Sequence, residues 1–139
     1  MQPLEAIQQR ARKDRTSVNW FLNNFDTATA GNVAIQSEVA MVFVNSDSGE
    51  QYITVDGNEG DRKNLTAWHG GDDLILAVAA QNRNTMVVVH SVGPLIVEPW
   101  IDHPNITAVR SNLVLFPSRK HLLTISEGTL GWRIRRRNW

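Results

Sequence analysis

Cysteine is absent from this chain, so neither a disulfide framework nor a thiolate metal site can be built from it. The absence carries no information about compartment. No run of about 18 apolar residues occurs, so no segment reads as a membrane-spanning helix. The first fifteen residues, MQPLEAIQQRARKDR, hold no apolar signal core, so no signal peptide is expected in this chain. Taken alone, that start predicts either a cytoplasmic protein or a true beginning further upstream. The glycine patterns of nucleotide sites, G-x-G-x-x-G and G-x-x-x-x-G-K-[ST], are missing. So are the serine nucleophile elbow G-x-S-x-G and the EF-hand pattern D-x-[DN]-x-[DN]-G. Internal repeats are lacking as well.

What is present is enough for one domain or part of one: 139 residues, 42% of them apolar. Aromatic residues make up only 7%, yet five of them are Trp, at 20, 68, 100, 132 and 139. The formal net charge of zero hides a split. Residues 1–109 carry seven Lys and Arg against thirteen Asp and Glu. Residues 110–139 carry seven against the single acid Glu127. An acidic body therefore precedes a basic end.

Pro3 and the spacing of Leu4, Ile7 and Ala11 predict a helix over 3–13. Residues 18–22, Val-Asn-Trp-Phe-Leu, predict a short strand. A helix over 26–37 follows, with Asp26 or Thr27 as N-cap, apolar positions at Ala28, Val33 and Ile35, and Gly31 as a weak point. Residues 39–44, Val-Ala-Met-Val-Phe-Val, form a continuous apolar run, which predicts a strand covered on both faces. Residues 72–81 predict a helix with Asp72 and Asp73 in its first turn, where the helix dipole favours carboxylates. A strand over 85–90, a short helix over 95–100 cut by Pro99, and a strand beginning at 106–109 complete the pattern. Strands alternating with helices imply right-handed crossovers and a parallel sheet. The expected fold is α/β: a flavodoxin-like three-layer α/β sandwich with a mostly parallel sheet, incomplete at both ends.

Chemistry in such a sheet gathers beyond the carboxyl ends of its strands. Here the strand over 39–44 runs into a loop holding Asp47, Glu50, Asp56, Glu59 and Asp61. Glu50, directly after Ser48-Gly49, reads either as a solvated loop residue or as a general acid/base at a pocket mouth. The crowd of acids also admits a calcium loop, although the EF-hand pattern is not met. Acids where a phosphate wants amides and cations argue against a nucleotide site. His90 at a strand end reads as a hydrogen-bonded structural residue before a catalyst. His69, His103 and His121 lack metal-ligand spacing. Asn64-Leu65-Thr66 and Asn105-Ile106-Thr107 match the N-glycosylation pattern, making Asn64 and Asn105 candidates. The run Arg133-Ile134-Arg135-Arg136-Arg137 reads either as a contact for nucleic acid or membrane or as a basic terminus without a partner.

The stretch from Val42 to Thr66, VFVNSDSGEQYITVDGNEGDRKNLT, resembles fungal β-glucosidases of glycoside hydrolase family 3. So do Trp68-His69, Ala77 to Ala80, Val87 to Pro94 and Trp100 to Asn105. Upstream, Pro3 to Ile7 and Arg10-Ala11 are similar too, so that residues 2–109 are covered. The resemblance implies a part of the α/β sandwich domain that follows a (β/α)8 barrel. The barrel bears the nucleophilic aspartate, and no residue here matches its motif. The resemblance places the acid/base on Glu50 and an aromatic lining the aglycone subsite on Tyr52. Where the family usually has Gly this chain has Gln51. The implied activity is retaining hydrolysis of terminal β-D-glucosyl residues, from cellobiose or aryl β-glucosides, in a secreted parent enzyme. The implied partners are a β-glucoside or cello-oligosaccharide and the barrel, with no nucleic acid, no membrane, no cofactor and no metal. The competing description is a catalytically inactive α/β fragment, or a module that binds a small molecule or a partner chain.

After Val109 the resemblance stops, where the charge also reverses. The expected division is therefore residues 1–109, a partial sandwich domain, and residues 110–139, a divergent basic tail. The expected origin of such a tail is a shifted reading frame or a retained intron, the alternative being a naturally divergent end. The nucleotide sequence tests this: a family-like continuation should lie in another frame beyond codon 109.

Overall fold

A computed structural model describes residues 3–113, with the side chains of Asn112 and Leu113 left aside. In chain order the elements are helices α1 (Pro3–Lys13) and α2 (Thr27–Ile35), strands β1 (Ala40–Ser46), β2 (Thr54–Val55) and β3 (Asn58–Glu59), helix α3 (Gly71–Gln81), and strands β4 (Thr85–Ser91) and β5 (Ile106–Leu113). β1, β4 and β5 form a parallel sheet in that order, with Ala40 opposite Thr85 and Ser46 opposite Ser91. β2 and β3 make a separate antiparallel hairpin. This is the α/β sandwich expected from the alternation of strands and helices, and its sheet is wholly parallel among the described residues.

Pairing in this sheet is non-local, and one face of it buries the core. Val42, Val44, Val87 and Val89 point inward against Leu74, Ile75 and Val78 of α3. Burying a side chain of this size stabilises the fold by roughly 1.5–3 kcal/mol. α2 packs on α3 through Ala30, Gly31 and Ala34. Thus Gly31, expected to weaken α2, sits in its contact face: an added Cβ would lie 3.1 Å from Gln81 Cγ. The anticipated apolar positions Ala28 and Ile35 are exposed instead. Asp26 is the N-cap of α2, accepting from the Thr29 backbone N–H at 3.0 Å. Hydrogen bonding from the Thr29 side chain, then from that N–H, holds its carboxyl below the usual range, against a smaller opposing effect of desolvation. Asn82, buried at the end of α3, donates its amide to the carbonyls of Ala34 and Ser37 at 2.8 and 2.7 Å. It thereby gives the Ser37 carbonyl a donor and adds one to Ala34 O, which already accepts from Ser37 N–H at 3.1 Å, so the ends of α2 and α3 are tied together.

Three expectations need correction. Among the described residues β1 is covered on one face only: Val42 and Val44 are 4% exposed, whereas Met41 and Phe43 are 47% and 36% exposed. The continuous apolar run reflects residue type, while coverage depends on what packs above it. Residues 18–22 form no strand, because no described strand pairs with them, and Trp20 and Leu22 are exposed. Residues 95–100 form no helix. Val97 accepts from Trp100 and Ile101 in a single turn, and Pro99 supplies no N–H to continue it. The segment still packs, with Trp100 only 1% exposed and its indole N–H donating to Asp72 Oδ1 at 2.8 Å.

The tail expected over 110–139 begins inside β5, where Arg110 lies opposite Val88. From residue 114 onward it lies outside the described residues, as do His121 and the basic run 133–137.

Candidate functional site

β1 and β4 end side by side, and the loop of acids leaves from that edge. Its conformation follows from glycines and hydroxyls. Gly49 is buried, and a Cβ there would fall 2.2 Å from Ile53 O and 2.8 Å from Gly60 O. Only glycine allows the chain to approach itself this closely. Ser48 Oγ donates to Gly49 O at 3.1 Å and accepts from the Arg62 backbone N–H at 3.1 Å. Glu50 O accepts from Ile53 N at 2.8 Å, closing a tight turn with Gln51 at φ 52°. Gln51 thus adopts a left-handed backbone, at the position where the resembled family usually has Gly.

Glu50 and Tyr52 both sit on that turn and both face solvent; Tyr52 is 80% exposed. Among the described residues the Glu50 carboxylate has no hydrogen-bond or ion-pair partner. The other acids divide. Asp47 accepts from Asn45 Nδ2 at 3.2 Å. Asp56 lies 3.0 Å from His69 Nε2, which ties the hairpin to the approach of α3. Glu59 belongs to β3, and Asp61, just past it, is exposed. Among the described residues Asp47 and Asp56 are engaged, Glu50, Glu59 and Asp61 are not, and of these three only Glu50 lies on the turn that Gly49 shapes. A free carboxyl on a shaped, solvent-facing turn can exchange a proton with a bound molecule. It offers no nucleophile of its own on the opposite side.

Two features of the site escaped the sequence reading. One is the hairpin itself, although Asp56-Gly57 between Thr54-Val55 and Asn58-Glu59 is a strong two-residue turn signal. Both turn residues have positive φ, 47° and 81°, as such a turn demands. The other is Arg62. Its guanidinium reaches 16 residues back to donate to Ser46 Oγ at 2.8 Å, and lies 3.5 Å from Ser91 Oγ. It also donates to Pro94 O. Nothing in the local sequence distinguishes this arginine from neighbouring Lys63.

The glycosylation candidates differ in setting. Asn64 is exposed, and its Oδ1 accepts from Thr66 Oγ1 at 3.1 Å. Asn105 is half-buried and donates Nδ2 to Ala79 O at 2.7 Å. His90 stacks on Phe43, with ring centroids 6.4 Å apart, on the sheet face opposite the core. Its Nε2 is buried without a partner among the described residues.

Comparison with known proteins agrees with this architecture. The sequence model of the glycosyl hydrolase family 3 C-terminal domain matches residues 1–113. A β-glucosidase of Schizophyllum commune is 54% identical over 107 residues, which is 77% of this chain and 56% of that protein. β-Glucosidase 1 of Aspergillus aculeatus is 52% identical over 107 residues, 77% of this chain and 12% of that protein. Among solved structures, the β-D-glucoside glucohydrolase of Trichoderma reesei superposes with a TM-score of 0.75 at 45% identity, over 78% of this chain and 15% of that one. The β-glucosidase of Chaetomium thermophilum gives 0.74 at 52% identity, over 78% and 13%. The chain spans about half of the first relative and between 12% and 15% of the others.

Proposed function

The chain belongs to glycosyl hydrolase family 3 through that family's C-terminal domain, and on this premise we propose that it supplies the acid/base half of a retaining β-glucosidase active site. Glu50 is the proton donor, and Tyr52 lines the subsite that receives the aglycone. The observation that carries this reading is the placement of Glu50: an unengaged carboxyl on a turn held by Gly49, just beyond the end of β1. Retaining hydrolysis requires a second carboxyl roughly 5–5.5 Å away across the scissile bond. That nucleophile belongs to a (β/α)8 barrel, which would press against this loop.

The chemistry then divides in two. The barrel carboxylate attacks the anomeric carbon while Glu50 transfers its proton to the leaving glycosidic oxygen. The aglycone departs as an alcohol, leaving a covalent glucosyl ester. Glu50, now a carboxylate, takes a proton from water, which attacks the same carbon and releases glucose with its configuration retained. The substrates are cellobiose and aryl β-glucosides, and the parent enzyme is secreted.

The test needs a barrel, so residues 1–113 replace the matching segment of the Chaetomium thermophilum β-glucosidase. E50A in that chimera should lose cellobiose hydrolysis by on the order of 10²–10⁴-fold. It should keep substantial activity on a 2,4-dinitrophenyl glucoside, whose leaving group needs no proton. Added azide should restore turnover and yield β-glucosyl azide. Unimpaired cellobiose hydrolysis by E50A would overturn the assignment. The 139-residue chain alone should hydrolyse neither substrate.

A further inference from the structure

Among the described residues the Glu50 carboxylate has no hydrogen-bond or ion-pair partner to fix it, so the accuracy of its turn must come from elsewhere. The residue best placed for this is Arg62. Its guanidinium sits at the junction of the two central strands, on Ser46 Oγ at 2.8 Å and Ser91 Oγ at 3.5 Å. Those serines are register partners, 0% and 2% exposed. The other arm of the guanidinium holds Pro94 O, in the turn beyond β4. Room for it exists because residue 93 is glycine, where a Cβ would approach Nη2 to 2.9 Å. The main chain of the same residue grips the acidic loop through Arg62 N–H to Ser48 Oγ, 3.1 Å. One residue thus joins the ends of β1 and β4 to the segment two residues before Glu50.

We infer that Arg62 is a positioning residue for the Glu50 turn, clamping residues 46–49 to the end of β4. This rests on the acid/base reading of Glu50. A planar fork that donates to two hydroxyls and a carbonyl is something lysine cannot reproduce with one ammonium. R62K should therefore keep the charge and lose the geometry.

Two measurements test this. In the 139-residue chain, amide hydrogen exchange over residues 47–53 should accelerate on the order of tenfold in R62K and more in R62Q, while α3 and β4 hold their protection. G93A, which displaces the guanidinium without removing it, should reproduce the effect. Unchanged exchange over 47–53 in all three variants, or equal acceleration across the whole chain, overturns the assignment. In the chimera, the ratio of kcat/KM on the dinitrophenyl glucoside to that on cellobiose reports proton donation. A misplaced proton donor should raise this ratio on the order of tenfold in R62K, with KM little changed. A purely structural arginine would lower both rates equally and leave the ratio alone. If E50A leaves the ratio unmoved, the acid/base reading is what fails. If E50A moves it and R62K and R62Q do not, the positioning role fails.

Discussion

The α-carbon of Gly49 faces the carbonyl oxygen of Ile53 so closely that a methyl group on it would sit 2.2 Å from that oxygen. The obstacle is backbone, which cannot rotate away as a side chain could. G49A should therefore open the Glu50–Ile53 turn at a cost on the order of 2–3 kcal/mol. Urea unfolding reads the cost, and a substitution without effect would show that the loop is not held as described.

Gln51 pays for its place in the same turn with a left-handed backbone, φ 52°. Such a conformation costs a side-chain-bearing residue roughly 1–2 kcal/mol, and glycine escapes it. Glycine gives part of that back through its freer unfolded chain. Q51G should still raise stability, by about 0.5–1 kcal/mol. Q51V should lower it, since a β-branched residue fits the conformation worst. The midpoints of denaturant unfolding order the three proteins.

Asp26 predicts a pH effect with a definite sign. Its carboxyl is held below the usual range in the folded chain by its bonds to Thr29. The charged form is therefore favoured by folding. The stabilisation is fully present above the unfolded carboxylate value, about 3.9. It fades as pH falls through the lower folded value. D26N keeps an oxygen acceptor for the Thr29 N–H and cannot titrate. Melting temperature against pH should be flatter in D26N than in the parent below about pH 4. Parallel curves would remove Asp26 from the acid response.

Passage through a fungal secretory pathway should distinguish Asn64 from Asn105. Asn64 is exposed and its amide nitrogen has no hydrogen-bond partner among the described residues, whereas that of Asn105 is committed to Ala79 O. Mass spectrometry should find the glycan on Asn64, and N64Q should abolish it. N105A should instead destabilise the chain by about 1 kcal/mol, through the lost bond at the end of α3. A glycan on Asn105 in the folded protein contradicts this placement.

The elements that local pattern predicts are those whose formation is local or whose composition is extreme. α1 and α3 follow from helical spacing and first-turn chemistry, and α2 from its Asp26 cap. β1 and β4 follow from runs of β-branched residues. The short segment 18–22 has the same composition over fewer residues, yet no neighbour to pair with. A strand exists only by its partner, so composition cannot decide it. Residues 95–100 show the opposite conflict, a helical pattern stopped by the missing N–H of Pro99.

From the amino-acid sequence alone came the α/β alternation, the family, and the loop that carries the acids. Those properties reside in residue type and short spacing, which the chain keeps whether folded or not. The tertiary structure decided which acids are engaged, and among the described residues Glu50, Glu59 and Asp61 keep no side-chain partner. Asp47 is taken by Asn45, and Asp56 by His69 thirteen residues away. It also decided that the sheet buries one face among the described residues, and that Arg62, alone among its charged neighbours, lies between two strand ends. The Asp47 contact is local, whereas those of Asp56 and Arg62 span 13 to 32 residues of chain. Such contacts form only when the parallel strands have brought Ser46 beside Ser91, and no local pattern encodes that meeting.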